Sequence, residues 1–276
     1  MMIENVLWIA VALLVISAII PRSYHIRKAI GGMGWIAFSL HWAYQPLHYI
    51  EIDDYFNVIL TLTIAVFCLF IAYTAFKEYS STAFSSFSDQ VDVTSMTTTA
   101  TAIGSLFYFP FAQMPALNRW IISQVTENIV WVLGLLDVSV QIPSWNMISY
   151  NGYSVEIILA CTAIESIALF IGLIIAVNAP AKRLMAAFMV SVPVIYALNI
   201  ARDVFVVIAY GQQWFGPNSF EISHHIIAKI GSGIALFVIG YAVMRILPEL
   251  LDLIDGLWAL TTNSIRDIAQ KIPGFR

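Results

Sequence analysis

Residue types that could act together chemically lie in the second half of the chain. Cys161 stands in "NGYSVEIILACTAIES" (151–166), where a polar segment passes into an apolar run. Arg202 stands in "YALNIARDVFVVIAYG", and His224 and His225 stand in "EISHHIIAKIGSG". A histidine can take the proton of a thiol and later donate it to a leaving amine, and an arginine can hold the oxyanion of a tetrahedral intermediate. This combination predicts acyl-transfer chemistry.

Each of these residues also has an ordinary explanation. A lone cysteine in a membrane segment commonly serves as a small apolar filler, which is how we interpret Cys68 and which stays an alternative for Cys161. An arginine inside a span costs about 2.5–3.5 kcal/mol on insertion scales and needs compensation, which the adjacent Asp203 could supply. The histidine pair could simply lie at the membrane interface. The functional interpretation gains weight if the topology brings all of them to one depth.

Two further polar residues could support this set. Glu165 follows Cys161 by four residues, so a continuous helix would place both side chains on one face and let Glu165 orient the histidine or the arginine. Asn199 lies about one helical turn from Arg202 and could act in the same way. A structural role is an equal alternative for both residues.

The composition is that of an integral membrane protein. Of the 276 residues, 60% are hydrophobic and 11% are charged, which is more apolar and less charged than ordinary soluble domains. The net charge is −4 and the basic residues are scattered, so we exclude nucleic acid as a partner. Cys68 lies in the middle of an apolar run and Cys161 at the edge of one, so we expect both to be free thiols.

Seven apolar stretches approach the length of about 20 residues that a spanning helix needs. They lie at 4–20, 30–49, 57–76, 96–115, 157–178, 184–209 and 222–247. Lysine and arginine collect after the first, third, fifth and seventh stretches, which indicates a cytoplasmic location for those segments and an outer N-terminus. This alternation places Cys161, Arg202 and the histidines near the outer ends of three consecutive spans.

Two segments outside the spans have patterns of their own. The outer segment 116–156 contains "LNRWIISQVTENIVWVLGLLD", which is typical of an amphipathic interfacial helix. It also contains "VSVQIPSWNMISYNGYSVEI", whose β-branched residues and "YNGY" turn predict a short hairpin. The C-terminal "PELLDLIDGLWALTTNSIRDIAQKIPGFR" predicts an amphipathic helix along the cytoplasmic surface.

The predicted fold is all-α. We expect a polytopic membrane protein of about seven transmembrane helices, with an outer amphipathic helix and hairpin and an inner amphipathic C-terminal helix. Residues 1–254 would form the multi-spanning catalytic domain, with its active-site region at 157–247, and residues 255–276 the cytoplasmic tail.

The segments "LACTAIES", "NIARDVF" and "SHHIIAKIGS", at the ends of successive spans, resemble the exosortase/archaeosortase family of membrane cysteine transpeptidases. The likeness covers most of the chain, and its specificity rests on residues 157 to 247. The spacing of cysteine, arginine and histidine on polytopic helices is the specific signal, whereas any one motif alone is weak.

The resemblance implies an enzyme that recognises a C-terminal tripartite signal on exported surface proteins such as S-layer glycoproteins. The signal consists of a short motif such as Pro-Gly-Phe, a transmembrane helix and a basic tail, and the enzyme transfers the cleaved protein to a membrane lipid. Cys161 corresponds to the nucleophile, Arg202 to the family's arginine and His224 to its histidine, with His225 as the competitor. Arg245 is a candidate for a further arginine, but it lies a membrane thickness below His224, so we expect it to anchor its span to the inner headgroups.

Other functions stay open on the sequence. An intramembrane cysteine protease or an acyltransferase would use the same thiol but pass the acyl group to water or to a small molecule. A small-solute transporter would use Arg202 and the histidines as a polar pathway, but the inner halves of the spans are nearly bare of ionisable groups. We expect no cofactor and no metal, and an active site near the extracellular face of the cell membrane.

Overall fold

The computed structural model describes residues 2–21, 23–80 and 92–271, most of which are helical. Residues 272–276 of the predicted tail lie outside the described residues. In chain order the helices are α1 Met2–Ile19, α2 Ile26–Glu51, α3 Tyr55–Ser80, α4 Val93–Gln113, α5 Pro115–Leu135, α6 Ile164–Ala176, α7 Ala181–Gly211, α8 Lys229–Ile246 and α9 Glu249–Lys271. A π-helical segment, Glu221–Ala228, leads directly into α8.

Each of the seven predicted spans contains a helix, but not all of these helices have the length of a crossing. In the described part of the chain, the helices long and apolar enough to cross a membrane are Tyr55–Ser80, Ala181–Gly211 and the continuous Glu221–Ile246. Asn5–Ile19 and Ile164–Ala176 are apolar but shorter. The number of seven crossings stays a prediction.

The helices divide into two compact units, of which the first contains α1, α2, α3, most of α4, and α9. Within it, α2 packs against α1 and α3. A Cβ on Gly34 would lie 3.0 Å from the Leu14 side chain of α1, and one on Gly32 would lie 2.8 Å from the Phe76 ring of α3. Glycines at these contacts let the helix backbones approach closely, as in other membrane helix pairs.

The second unit contains α5, most of α6, α7, α8 and the strands. The predicted amphipathic helix is confirmed as α5, which has Pro115 in its first turn, where a missing N–H is harmless. Its buried residues recur at helical spacing, as in Ile122, Val125, Ile129 and Leu133. The predicted C-terminal helix is confirmed as α9, up to Lys271. The positions of both helices at a membrane surface stay predictions.

A small antiparallel sheet follows α5, with strands β1 Gln141–Ser144, β2 Met147–Tyr150 and β3 Tyr153–Glu156 in that order. The predicted hairpin is the β2–β3 half. It is closed by Asn151 and Gly152 at φ of 52° and 85°, the left-handed pair that a type I′ turn requires. Strand β1 is an addition to the predicted hairpin. Its pairing with β2 is irregular, and it contains Pro143, which an edge strand tolerates. The all-α class holds, with this sheet as an addition.

The sheet is fixed against α5 and α7. Ile148 of β2 is fully buried in one core cluster with residues of both helices. At the end of α7, a Cβ on Gly211 would lie 2.8 Å from Cγ and 3.0 Å from Cβ of Tyr150. Only glycine at position 211 therefore lets β2 approach the helix this closely.

Gly211→Ala is expected to lower the free energy of unfolding by about 1–3 kcal/mol, because the added methyl group forces β2 away from α7. The matched control is Gly134→Ala in α5, where an added Cβ meets nothing within 4 Å. Thermal unfolding in detergent would measure both variants. Equal stability of the two would contradict this account of the sheet contact.

Candidate active site

Cys161 lies in a turn and not in a helix. A 3-10 turn covers Leu159–Cys161, and α6 begins only at Ile164. Between them Ala163 has a left-handed φ of 57°, which a residue with a Cβ adopts only at an energetic cost and which interrupts a right-handed helix. The prediction of one continuous helix from residue 157 is therefore wrong. No glycine or proline stands near Ala163 to signal this interruption.

The cysteine turn is held to α7 by one buried amide. Asn199 Nδ2 donates to the Cys161 carbonyl over 2.6 Å and lies 3.2 Å from Oδ2 of Asp203, one turn further along the same helix. Asn199 and Asp203 are both buried. Asn199 thus contacts the backbone of the cysteine and the carboxylate, rather than orienting Arg202 as the sequence suggested.

Arg202 pairs with its neighbour Asp203, as the sequence suggested. The Nη1 atom of Arg202 lies 3.4 Å from Oδ1 of Asp203, and the arginine side chain is only 19% exposed. Its Nε is buried and has no hydrogen-bond partner among the described residues. A buried donor without a partner is unfavourable in a finished site, so this guanidinium retains capacity to bind an oxygen of a ligand.

Both histidines lie on the π-helical segment. The His224 ring stacks on Phe220 with centroids 5.1 Å apart, and the His225 ring stands edge-on to the His224 ring with centroids 4.8 Å apart. His225 Nε2 lies 3.9 Å from a carboxylate oxygen of Glu221, on the same segment. Phe220 contacts both rings, stacked on His224 and edge-on to His225, so both alternatives for the functional histidine stay open.

Two cavities adjoin the cysteine turn. The smaller, about 370 Å³, is lined by Cys161, Asp203, Phe220, His224, His225, residues 154–158 and Val206. The larger, about 610 Å³, includes among its lining residues Leu159, Ala160, Glu165, Asn199, Arg202 and Lys229. The structure thus brings the cysteine and the histidines to one cavity. It places Arg202 in the other, one residue along the helix from Asp203.

Glu165 does not stand where the sequence predicted. Because the helix is interrupted at Ala163, residues 161 and 165 do not share a helical face. Glu165 is exposed, accepts a hydrogen bond from the Tyr108 hydroxyl over 3.2 Å and lines the larger cavity with Arg202. The prediction that Glu165 faces the cysteine is therefore wrong.

Several lining residues were not among the predicted site residues. Phe220 precedes His224 by four residues, a helical spacing that would have linked the two rings. Ser154 and Glu156 alternate with Val155 after the "NG" turn, which marks them as the second face of a strand. From the sequence, Asp203 is predicted only as a counter-charge of Arg202, whereas in the structure it also lines the cavity of the cysteine.

Cys161 is buried, and it lies outside the membrane-spanning helices. Burial raises the pKa of its thiol above the ordinary value, and the Asp203 carboxylate raises this pKa further. The hydrogen bond with Ile158 and the charge of Arg202 act in the opposite direction but do not cancel the rise. A raised pKa disfavours the thiolate, which is the nucleophilic form, so the thiol needs a base to become a nucleophile.

Similarity to known proteins extends over nearly the whole chain. The model of the transmembrane exosortase family matches residues 2–246. Archaeosortase A of Haloferax volcanii is 25% identical over 96% of this chain and 96% of its own. Archaeosortase A of Natronomonas pharaonis is 26% identical over 85% of this chain and 80% of its own. No solved structure matches the chain.

Neutralising Asp203 and neutralising Arg202 should shift thiolate formation at Cys161 in opposite directions. Asp203→Asn lowers the pKa of the thiol and is expected to speed its alkylation by iodoacetamide severalfold at neutral pH, whereas Arg202→Gln slows it. Peptide mass spectrometry over a pH series resolves Cys161 from Cys68. Glu221→Gln removes a carboxylate that is not among the causes of the shift and serves as the control; equal rates in all variants would contradict the electrostatic account.

Proposed function

The chain belongs to the transmembrane exosortase family, and we propose that it is a membrane cysteine transpeptidase that processes C-terminal sorting signals of exported proteins. The signal would be a Pro-Gly-Phe type of motif followed by a transmembrane helix and a basic tail, and the acyl acceptor would be a membrane lipid. The observation that carries this proposal is the single cavity lined by Cys161, His224 and His225.

In the proposed reaction, the Cys161 sulfur attacks the carbonyl carbon of the scissile peptide bond. His224 accepts the thiol proton and donates it to the leaving amine of the downstream helix, which departs as the thioester forms. Arg202 lines the adjoining cavity, but its charge acts on the Cys161 thiol and its buried Nε has no hydrogen-bond partner among the described residues, so we assign it the stabilisation of the oxyanion of the tetrahedral intermediate. An amine or hydroxyl of the acceptor then attacks the thioester and loses its proton to the histidine. The C–S bond breaks, and the histidine passes the proton to the departing Cys161 sulfur, which restores the thiol.

Asn199 and Asp203 act as positioning residues in this proposal. The Asn199 amide fixes the Cys161 carbonyl relative to α7, and the Asp203 carboxylate fixes the amide and the neighbouring guanidinium. A nucleophile on a turn needs such a clamp, because a misplacement of about 1 Å lowers a reaction rate by about a hundredfold.

The larger cavity supports a lipid as the acyl acceptor. Arg202 and Lys229 contribute positive charge to it, and Ile195, Leu198 and Leu236 contribute apolar walls. The cavity lies along α7 and the continuous helix Glu221–Ile246, both of membrane-spanning length, where a phospholipid would have lateral access. A phosphate near Arg202 would bring the headgroup nucleophile towards the thioester on the adjoining turn. We place this site near the extracellular end of the helices, where exported substrates arrive.

Cys161→Ala is expected to abolish processing of a reporter protein that carries the tripartite signal, because an alanine provides no nucleophile. Cys68→Ala, which removes the buried cysteine of α3, should leave processing nearly intact. The intact mass of the mature C-terminal peptide distinguishes the two possible acceptors. A lipid-sized increment supports transfer, a free carboxylate in most molecules points to the protease alternative, and normal processing by Cys161→Ala would refute cysteine chemistry.

Filling the larger cavity is expected to reduce lipid transfer more than cleavage. Gly231 lines this cavity and an added Cβ there meets nothing within 4 Å, so a larger side chain can start at this position and Gly231→Leu reduces the open space. The lipid-linked product should fall about tenfold or more relative to hydrolysed product, since a bound acceptor owes its advantage over water to its fixed position. Gly240→Leu is the control on the same helix, also without neighbours within 4 Å. An unchanged product ratio would place the acceptor elsewhere.

A further inference from the structure

The β3 strand lies at the edge of the sheet, with β2 on one side only. Tyr153 is paired with Tyr150 across the two-residue turn, and the Ile157 N–H donates to the Asn146 carbonyl over 2.7 Å. Since the backbone groups of an antiparallel strand point alternately to either side, those of Ser154 and Glu156 point away from β2. Among the described residues, these outward groups have no backbone partner.

This free edge leads directly to the cysteine. Residues 154–158 line the cavity that also contains Cys161 and His224. Ser154, Glu156 and Ile158 are exposed, while the residues between them are buried in the core of the second unit. The Cys161 N–H donates to the Ile158 carbonyl, so the strand and the cysteine turn form one continuous wall of the cavity.

The two edges of the sheet differ in how they are protected. The β1 edge contains Pro143, which has no N–H to offer, and its pairing with β2 is irregular; both features discourage the addition of another strand. The β3 edge has no proline. Its one charged side chain, Glu156, is held by the Asn146 amide over 3.1 Å, so it is tied to the β1–β2 connection.

We propose that the part of the substrate that precedes the scissile bond binds as an extended strand along the free edge of β3. The inference rests on the proposed function and adds how the substrate is bound. Outward N–H and C=O groups of Ser154 and Glu156 pair with the substrate backbone, and the next residues of the substrate pass into the cavity towards the Cys161 sulfur. Binding through the backbone gives affinity that does not depend on the substrate's side chains.

The first test replaces a backbone donor. Ser154→Pro removes an N–H that points away from β2 and leaves the β2–β3 hydrogen bonds in place, whereas Ser154→Ala removes the hydroxyl and keeps the N–H. Processing of the reporter is expected to be about tenfold lower in Ser154→Pro than in Ser154→Ala, since one hydrogen bond is worth up to about tenfold in affinity. Equal activity of the two variants would overturn the proposal.

The second test leaves the sheet unaltered. Short fluorescent peptides that end in Pro-Gly-Phe, each with one N-methylated backbone amide, are bound to the full-length Cys161→Ala protein in detergent. Strand addition predicts weaker binding at every second position, because alternate amides of an added strand face β3. Equal weakening of binding at all positions, or no weakening at any position, would refute strand addition.

Together the two tests separate this inference from the proposed function. If peptide binding weakens at every second N-methylated position but the wild-type protein does not process the reporter, the strand-binding edge is supported and the transpeptidase function is refuted. If the reporter is processed but peptide binding does not alternate with the position of the N-methyl group, only the proposed binding at the β3 edge is refuted. If Ser154→Pro instead converts a dimer into a monomer, the edge pairs with a second copy of the chain, and the proposal is wrong.

Discussion

The geometry of the site depends on the buried amide of Asn199. Its single NH₂ group bridges a backbone carbonyl in an irregular turn and a carboxylate on a long helix. Turns owe their shape to such contacts, because they lack the repeating hydrogen bonds of helices. Removal of the amide would leave the Cys161 carbonyl without this donor in the interior, where a lost partner costs about 1–3 kcal/mol, and would leave Asp203 with Arg202 as its remaining partner described above.

The charged groups beside this amide are an ion pair between adjacent residues. Arg202 and Asp203 are adjacent in the chain, and their side chains nonetheless meet at 3.4 Å. A buried charge needs a partner, and the partner of Asp203 is Arg202 in the same turn of α7. Each member of the ion pair lines one of the two cavities. Asp203 lines the one with the imidazoles and the thiol, and Arg202 lines the one with the cations and apolar walls.

The sequence allowed the helices, the turn at Asn151 and the meeting of Cys161 with the histidines to be predicted. These follow from hydrophobic run length, from a dipeptide with a strong conformational preference and from the alternation of helix direction. The interruption at Ala163 could not be predicted, since an alanine in the left-handed region is imposed by its surroundings and has no signal of its own. The misplaced Glu165 is a direct result of that interruption. Arg202 and Asp203 point about 100° apart on α7 and line different cavities, but which of the two shares a cavity with Cys161 depends on how the cysteine turn packs against α7, and residue spacing does not contain that packing.

The π-helical segment Glu221–Ala228 has a consequence for how this region tolerates changes in length. Its hydrogen bonds join residues five apart, so it accommodates more residues per turn than an α-helix. Deleting one residue would return the segment to α-helical winding, and the tighter turns would offset most of the rotation that the lost residue causes. Lys229 and the glycines after it would then stay near the cavity wall. A one-residue deletion inside α8 has no wide turn to absorb it and would rotate the rest of that helix by about 100°, so the π-helical segment is the place in this region where the chain length can change with the least effect on the helix beyond it.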